Sequence, residues 1–123
     1  MDVLTVLVAD DEFAVLEVLS IALESEGFVV LKAGDGADAL RILAGHRCDL
    51  VVVDELMPVL NGYQLIEAMR AEPRFATLPI IMMADTWGRP RPEIEGVVVL
   101  DKPILLADLF ARIEELARPA AKG

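Results

Sequence analysis

Cysteine, histidine and large aromatic residues are scarce in this chain. Its 123 residues include one Cys, one His, one Trp and one Tyr. A single cysteine, Cys48, cannot form an internal disulfide, and neither Cys48 nor His46 has a partner at metal-ligand spacing. We therefore expect both side chains to be structural or exposed, and the lone cysteine agrees with a reducing compartment.

Long apolar runs and an excess of positive charge are missing as well. No segment supplies the roughly 18 uninterrupted apolar residues that a membrane span needs, and the N-terminal stretch MDVLTVLVADDE lacks the basic start of a signal peptide. Acidic residues outnumber basic ones by 21 to 11, and the net charge of −10 repels phosphate backbones and anionic lipid. We expect a cytoplasmic domain that enters no membrane and binds no nucleic acid directly.

Short apolar runs are abundant, and they alternate with amphipathic stretches. Runs rich in valine or isoleucine predict strands at residues 4–9, 28–33, 50–53, 79–84 and 97–100. Apolar residues at helical spacing predict helices at residues 13–25, 36–43, 63–71 and 105–117. This alternation predicts an α/β fold of the flavodoxin-like, doubly wound type: a (βα)5 three-layer sandwich with five parallel strands in the order 2-1-3-4-5.

Two regions near the C-terminus need separate predictions. Residues 85–96, DTWGRPRPEIEG, contain prolines and glycines that forbid a long regular helix, so a short or irregular fourth helix is expected there. We expect residues 1–118 to form the domain and residues 119–123 to be a tail or the start of a linker. The last helix is expected to turn five apolar residues inward: Leu105, Leu106, Leu109, Ile113 and Leu116.

Carboxylates gather where the first and third strands end. Asp10, Asp11 and Glu12 directly follow the first strand, and Asp54 closes the third. These two strand ends meet at the switch point of the predicted sheet, where ligands bind. Carboxylates brought together repel each other unless a cation lies among them, and oxygen ligands without His or Cys suit Mg²⁺ best. Asp54 is therefore expected to act beside a metal, as a ligand or as a nucleophile toward a phosphoryl group.

A lysine follows the fifth strand, in the segment VVVLDKPI. The side chain of Lys102 is long enough to reach back across the strand ends toward Asp54, and Pro103 fixes the backbone beyond it. A lysine in this place can pair with carboxylates at rest and with a phosphoryl oxygen during transfer. The acidic residues and Lys102 together predict a phosphoryl-transfer site.

The segments that carry these residues resemble those of one family. VADDE, VVVDELMPVLNGYQL, LPIIMMA and DKPI are similar, in this order, to the characteristic segments of response-regulator receiver domains of two-component signalling, such as the chemotaxis receivers. The resemblance covers nearly the whole chain. It implies that Asp54 accepts the phosphoryl group and that Lys102 contacts this group. It also implies Mg²⁺ ligands from Asp10, Asp11, Asp54 and the backbone carbonyl of Leu56.

The resemblance also implies partners. A histidine kinase or phosphotransfer protein would donate the phosphoryl group, and an unknown downstream protein or effector domain would receive the signal through protein–protein contacts. Such a domain is not an enzyme, apart from promoting its own phosphorylation and dephosphorylation. The sequence leaves homodimer formation open.

Three positions depart from the family pattern. The Ser or Thr that ends the fourth strand in the family is Ala84 here, and the small residue that usually follows is Asp85. The aromatic residue three positions before the lysine is Val99. The usual coupled movement of hydroxyl and ring cannot occur with these side chains, so atypical switching is expected.

Each site residue also has a purely structural interpretation. Alone, Asp10 or Asp11 would more often cap the helix that begins near Phe13 than bind a metal. Asp54 could simply end a strand, and Lys102 could be a solvated surface charge. These interpretations are favoured for each residue in isolation and disfavoured for the set.

Two further function classes stay open. A receiver-like interaction module that works without phosphorylation is favoured by Ala84, Asp85 and Val99. An enzyme on a similar sheet ranks last, because a flavodoxin would carry a hydroxyl-rich phosphate loop where ADDEF stands. A haloacid-dehalogenase-type phosphatase would carry a second aspartate where Leu56 stands.

Overall fold

Five parallel strands form one sheet in the computed structural model, which describes residues 3–85 and 92–118. The strands are β1 (Thr5–Ala9), β2 (Val29–Ala33), β3 (Leu50–Asp54), β4 (Ile80–Ala84) and β5 (Val97–Asp101). They lie in the order β2-β1-β3-β4-β5. The predicted α/β class and doubly wound topology are confirmed, and each strand begins and ends within one residue of its predicted bounds.

Four α-helices connect or follow the strands in the described residues. They are α1 (Phe13–Ser25), α2 (Gly36–Gly45), α3 (Gly62–Arg70) and α4 (Leu106–Ala117), and a short 3-10 helix at Pro73–Phe75 was not predicted. Of the irregular helix expected over residues 85–96, residues 86–91 lie outside the described residues, and residues 92–96 contain no helix. The expected tail at residues 119–123 also lies outside them.

The helices cover both faces of the sheet and form two apolar layers. Val51 and Val53 of β3 face α2 and α3, whereas Leu50 and Val52 face α1 and α4. All four side chains are fully buried, and full burial of such a side chain contributes about 1.5–3 kcal/mol. β3 is therefore a rigid central strand, and the residue at its carboxyl end is held firmly.

The prediction for the first turn of α4 was wrong. Leu105 is the N-cap residue and is 65% exposed, and Leu106 is 37% exposed. α4 begins at the carboxyl edge of the sheet, where no strand is left to cover its first turn. Further along the helix, Leu109 and Ile113 are buried as predicted, because there they face the sheet.

Candidate functional site

Asp54 lies at the carboxyl end of β3 and is only 3% exposed. Its Oδ1 accepts a hydrogen bond from the backbone N–H of Leu56 at 3.1 Å, and its Oδ2 accepts one from Nζ of Lys102 at 2.9 Å. Because β1 pairs with β3 through Ala9 and Val53, the residue after β1 lies beside Asp54. The sheet register thus brings the predicted acceptor and the predicted acidic pair together.

Asp10 is the most deeply buried carboxylate of the site. Its Oδ1 accepts a hydrogen bond from the N–H of Glu12 at 2.9 Å, whereas its buried Oδ2 has no hydrogen-bond partner among the residues that the structure describes. Burial, followed by the nearby charge of Asp54, raises the pKa of Asp10 to about 6. The side chain therefore carries a buried oxygen that a cation would satisfy.

Asp10, Asp11 and Asp54 form a cluster of a size that suits a metal ion. Each offers one carboxylate oxygen, and these oxygens lie within 4.8 Å of one another. Three oxygen donors, one of them buried without a partner, fit a hard divalent cation such as Mg²⁺. Glu12 contributes no oxygen to this cluster, but it lies at the same edge of the sheet, where its charge helps to raise the pKa of Lys102.

The capping interpretation of the acidic pair was also wrong. α1 begins at Phe13, its N-cap residue is Glu12, and no side chain caps the helix. Asp10 instead holds the N–H of Glu12 in a tight turn. Asp11 is exposed, and one of its carboxylate oxygens belongs to the cluster with Asp10 and Asp54.

Lys102 is positioned by a backbone hydrogen bond and paired through its side chain. Its N–H donates to the carbonyl of Ala84 at 2.8 Å, which extends the pairing of β4 with β5 by one residue. Burial lowers the pKa of Lys102, but the hydrogen bond to Asp54 and the charges of Asp54, Asp10 and Glu12 outweigh it, so the pKa is raised. Lys102 is charged at neutral pH and reaches Asp54, as its side-chain length predicted.

The loop between β3 and α3 contains a strained turn. The N–H of Leu60 donates to the carbonyl of Pro58 at 2.7 Å, which makes a γ-turn with Val59 at its centre. Val59 has a φ of 68°, a value that β-branched residues rarely adopt. α3 then begins with a capping box between Asn61 and Gln64. The loop that follows Asp54 is therefore held by the γ-turn at Val59 and by the capping box at Asn61, where α3 begins.

The three departures from the family pattern lie in or directly after the neighbouring strands β4 and β5. Ala84 is fully buried as the last residue of β4, and Asp85 beyond it is exposed. Val99 is half-buried in β5, where it pairs with Met82. The structure thus has a small apolar side chain at each of the two places that a hydroxyl and a ring would occupy.

The sequence interpretation missed a buried polar pair. Glu55 is 4% exposed, and its Oε2 accepts a hydrogen bond from the hydroxyl of Tyr63 at 2.7 Å. The alternation of β3 indicated this arrangement, because the residue after Asp54 must face α3, as Val53 does. The glutamate was overlooked since a carboxylate next to a strand end is usually assigned to solvent.

An apolar groove runs from the site along α1. It has a volume of about 490 Å³, lies between α1 and the segment that joins β5 to α4, and reaches Lys102. Its apolar lining includes Val15, Val18, Leu19, Ile104 and Leu106. Sequence reasoning did not find this groove because it assigned the first turn of α4 to the core.

The doubly wound sheet, with an aspartate, an acidic pair and a lysine at its carboxyl edge, defines a class of phosphoryl-accepting signalling domains. The chain belongs to the response regulator receiver domain family, whose model matches residues 6–114. Within the described part of the chain, no helix is both long and apolar enough to cross a membrane.

Curated proteins of this family are similar over most of the chain. It is 33% identical over 121 residues to Response regulator GtcR of Aneurinibacillus migulanus, and the aligned region covers 94% of this chain and 48% of that protein. It is 36% identical over 115 residues to Transcriptional regulatory protein PrrA of Mycobacterium tuberculosis, which covers 92% of the chain and 49% of that protein. The chain spans about half the length of the curated relatives it matches.

Solved structures of the family have the same fold. The chemotaxis response regulator CheY4 of Vibrio cholerae superposes with a TM-score of 0.82 at 26% identity, over 94% of this chain and 99% of that chain. The receiver domain of Francisella response regulator 1452 superposes with a TM-score of 0.82 at 28% identity, over 92% of this chain and 95% of that chain. The resemblance stated from the sequence is confirmed.

This chain is therefore a receiver domain of the two-component response regulators. Receiver domains are signalling domains that interact with histidine kinases and effector domains, and they generally bind Mg²⁺ at an acidic cluster. Neither the module that works without phosphorylation nor the enzyme gains support over this function from the relatives or from the fold.

Proposed function

We propose that Asp54 of this receiver domain accepts a phosphoryl group from a histidine kinase or phosphotransfer protein. We further propose that Asp10, Asp11, Asp54 and the backbone carbonyl of Leu56 hold Mg²⁺. One observation carries the proposal: the buried carboxylate of Asp54 lies both 2.9 Å from the ammonium of Lys102 and within the 4.8 Å cluster of carboxylate oxygens.

The residues of the site divide the chemistry between them. A carboxylate oxygen of Asp54 forms the new O–P bond as the P–N bond of the phosphohistidine donor breaks. Lys102, which holds Oδ2 of Asp54 at rest, is placed to pair with an oxygen of the arriving phosphoryl group. Mg²⁺, when bound, supplies positive charge that offsets the phosphoryl oxygens. The domain thus promotes its own phosphorylation and dephosphorylation and acts on no other substrate.

The phosphodonor is proposed to dock on the apolar groove and the outer face of α1. Phe13, Val18 and Ile21 on this face are 74%, 61% and 63% exposed. Exposed apolar side chains beside a groove indicate a protein–protein contact. The groove reaches Lys102, so a partner seated in it would carry its phosphohistidine to Asp54.

The signal is proposed to pass to an effector domain or a separate protein, in the cytoplasm and without direct contact to nucleic acid or membrane. The chain spans about half of its curated relatives, two of which are named as regulators. Residues 1–118 would then be the receiver domain, and residues 119–123 a tail or the start of a linker. A homodimer is one form in which the domain could present its output surface.

Switching is proposed to be weaker than the family pattern implies. A hydrogen bond to a charged group contributes about 1.5–3 kcal/mol, and reversing an equilibrium from 1:99 to 99:1 takes about 5.5 kcal/mol. The hydroxyl missing at Ala84 would account for a large part of this energy. Val99 supplies no ring to move into the space beside it.

Intact mass spectrometry after incubation with acetyl phosphate tests the proposal. We expect a gain of one phosphoryl group, about 80 Da, that requires Mg²⁺ and is absent from Asp54→Asn. Asp108→Asn is the control, because Asp108 lies in the first turn of α4 and outside the carboxylate cluster. An equal gain in Asp54→Asn would contradict the assignment of Asp54.

A further inference from the structure

The first residue of α2 presses against the loop that follows Asp54. Gly36 is buried, and a Cβ added to it would lie 2.7 Å from the Cβ of Leu60, 3.1 Å from its carbonyl carbon and closer still to its carbonyl oxygen. Real Cβ atoms essentially never approach another atom below 3.0 Å. These Leu60 atoms belong to the backbone or adjoin it, so no flexible side chain can give way.

The same loop is held at its other end by a second glycine. A Cβ on Gly62 would lie 2.7 Å from the carbonyl oxygen of Asp54 and 3.1 Å from the Cα of Glu55. The N–H of Gly62 also donates to the carbonyl of Glu55 at 3.0 Å. The loop at residues 55–61 is therefore closely packed at two points: against Gly36 at Leu60, and against Gly62 where the loop ends.

The segment between these contacts has little freedom to absorb a displacement. Its γ-turn already holds Val59 at a φ of 68°, and strained turns of this kind persist only where surrounding structure enforces them. Near its start, the N–H of Leu56 donates to Oδ1 of Asp54. A shift of Leu60 would thus pass along the loop to Leu56 and to the Asp54 carboxylate.

We propose that Gly36 is a positioning residue for the Mg²⁺ site, acting through Leu60 and the loop at residues 55–61. The inference rests on the proposed function, since it concerns the proposed Mg²⁺ site. It assigns part of the metal affinity to α2, a helix that contributes no metal ligand. Groups that hydrogen-bond a metal ligand typically change metal affinity by about 10–100-fold when they are mutated, and we expect Gly36, which acts through the loop, to reach the lower end of this range.

Isothermal titration with Mg²⁺ on the whole chain tests this role. We expect Gly36→Ala to bind Mg²⁺ about tenfold more weakly than the native chain. Gly45→Ala is the matched control at the other end of α2, since a Cβ there meets nothing within 4 Å. It should bind as the native chain does.

The kinetics of phosphorylation by acetyl phosphate separate positioning from folding. In Gly36→Ala the Mg²⁺ concentration at half-maximal rate should rise about tenfold, and the rate at saturating Mg²⁺ should stay near the native value. A purely structural role would unfold part of the chain, which weakens the apparent affinity only in inverse proportion to the folded fraction. A variant that is at least half folded by circular dichroism without Mg²⁺ would then bind at most about twofold more weakly. That result, or an unchanged affinity in folded Gly36→Ala, overturns the inference and leaves the proposed function intact. Absence of Mg²⁺ binding in the native chain overturns both.

A second pair of variants tests the contact from its other side if Gly36→Ala does not fold. Leu60→Gly removes the Cβ that approaches Gly36 and frees the backbone of the turn, whereas Leu60→Ala keeps that Cβ. We expect Leu60→Gly to bind Mg²⁺ several-fold more weakly than Leu60→Ala. Equal affinities of these two variants would overturn the inference.

Discussion

Asp10 is the residue whose chemistry differs most from that of an ordinary surface aspartate. It is 1% exposed, and its pKa is raised by burial first and by the charge of Asp54 second. A cation in the proposed metal site would offset the cost of keeping a charged carboxylate buried there. The charge of Asp10 therefore destabilises the metal-free folded chain and favours the binding of a cation.

Asp10→Asn is predicted to stabilise the metal-free chain at pH 8. The pKa of Asp10 rises from 3.8 to about 6 on folding. The neutral carboxyl group is therefore tolerated in the folded chain below pH 4, and the free energy of unfolding falls as the pH rises through 6 and the buried group becomes charged. At about 1.4 kcal/mol per pH unit, the buried charge costs roughly 3 kcal/mol above pH 6. Urea unfolding without divalent ions measures the gain.

The exposed neighbour Asp11 provides the control for this prediction. Asp11→Asn should change the free energy of unfolding much less, because Asp11 is exposed to water. At pH 4 the advantage of Asp10→Asn should largely disappear, since Asp10 is then protonated in the folded chain. A gain of the same size at pH 4 and pH 8 would show that packing, and not charge, is responsible.

At the scale of elements, the strands that are buried on both faces of the sheet were predicted best from the sequence. β3 reads as a run of valines that ends on an aspartate, and a strand buried on both faces admits few other arrangements. The position of Asp54 followed from the strand order, and that of Lys102 from the strand order and the length of its side chain. Glu55 and its hydrogen bond to Tyr63 were missed because a carboxylate next to a strand end is usually assigned to solvent, although the alternation of β3 turns Glu55 toward α3.

The errors at Leu105 and Leu106 have a related cause. Helical spacing identifies an apolar face but not how far the sheet extends beneath it. Both leucines continue the inward face of α4 beyond the carboxyl edge of the sheet, where Leu106 lines the apolar groove. The contact of Gly36 with Leu60 was unpredictable for the same reason, since it depends on how closely α2 approaches a loop.

The outer face of α1 yields a prediction about the phosphodonor. Val18→Glu should leave phosphorylation by acetyl phosphate unchanged, because this small donor needs no docking surface. Transfer from a phosphorylated histidine phosphotransfer protein that acts on the native chain should slow about tenfold or more, as for a central interface residue. Rapid-quench assays of both reactions measure the difference.

Val29→Glu is the matched control, since Val29 is an exposed valine on the edge strand β2 and does not line the groove. It adds the same charge and should slow neither reaction. Equal slowing of protein-donor transfer by both variants would point to charge repulsion, given the net charge of −10, and would contradict the docking site.

For the whole molecule, the central question is how phosphorylation at one edge of the sheet changes a distant surface. The metal cluster and the lysine are complete, whereas the side chains that usually couple them to the β4–β5 face are reduced to Ala84 and Val99. On the proposed function, the domain would combine a full acceptor site with a weakened switch. Such a receiver would signal through the phosphorylated site itself or through small changes in conformation.

Phosphorylation is predicted to move the β4–β5 face only slightly. Amide chemical shifts of residues 92–101 in the native chain should change little when acetyl phosphate and Mg²⁺ are added. Ala84→Ser, which restores a hydroxyl with one added oxygen, should show larger changes in the same segment. Large changes in the native chain, equal to those of the serine variant, would contradict the weakened switch.

The central claim is that Asp54 carries an acyl phosphate. Borohydride reduction after incubation with acetyl phosphate and Mg²⁺ converts a phosphorylated aspartate to homoserine, which peptide mass spectrometry places in the sequence. We expect homoserine at residue 54 alone, and none when Mg²⁺ is omitted. Homoserine at residue 10 or 11, or a phosphorylated chain with aspartate intact at residue 54, would contradict it.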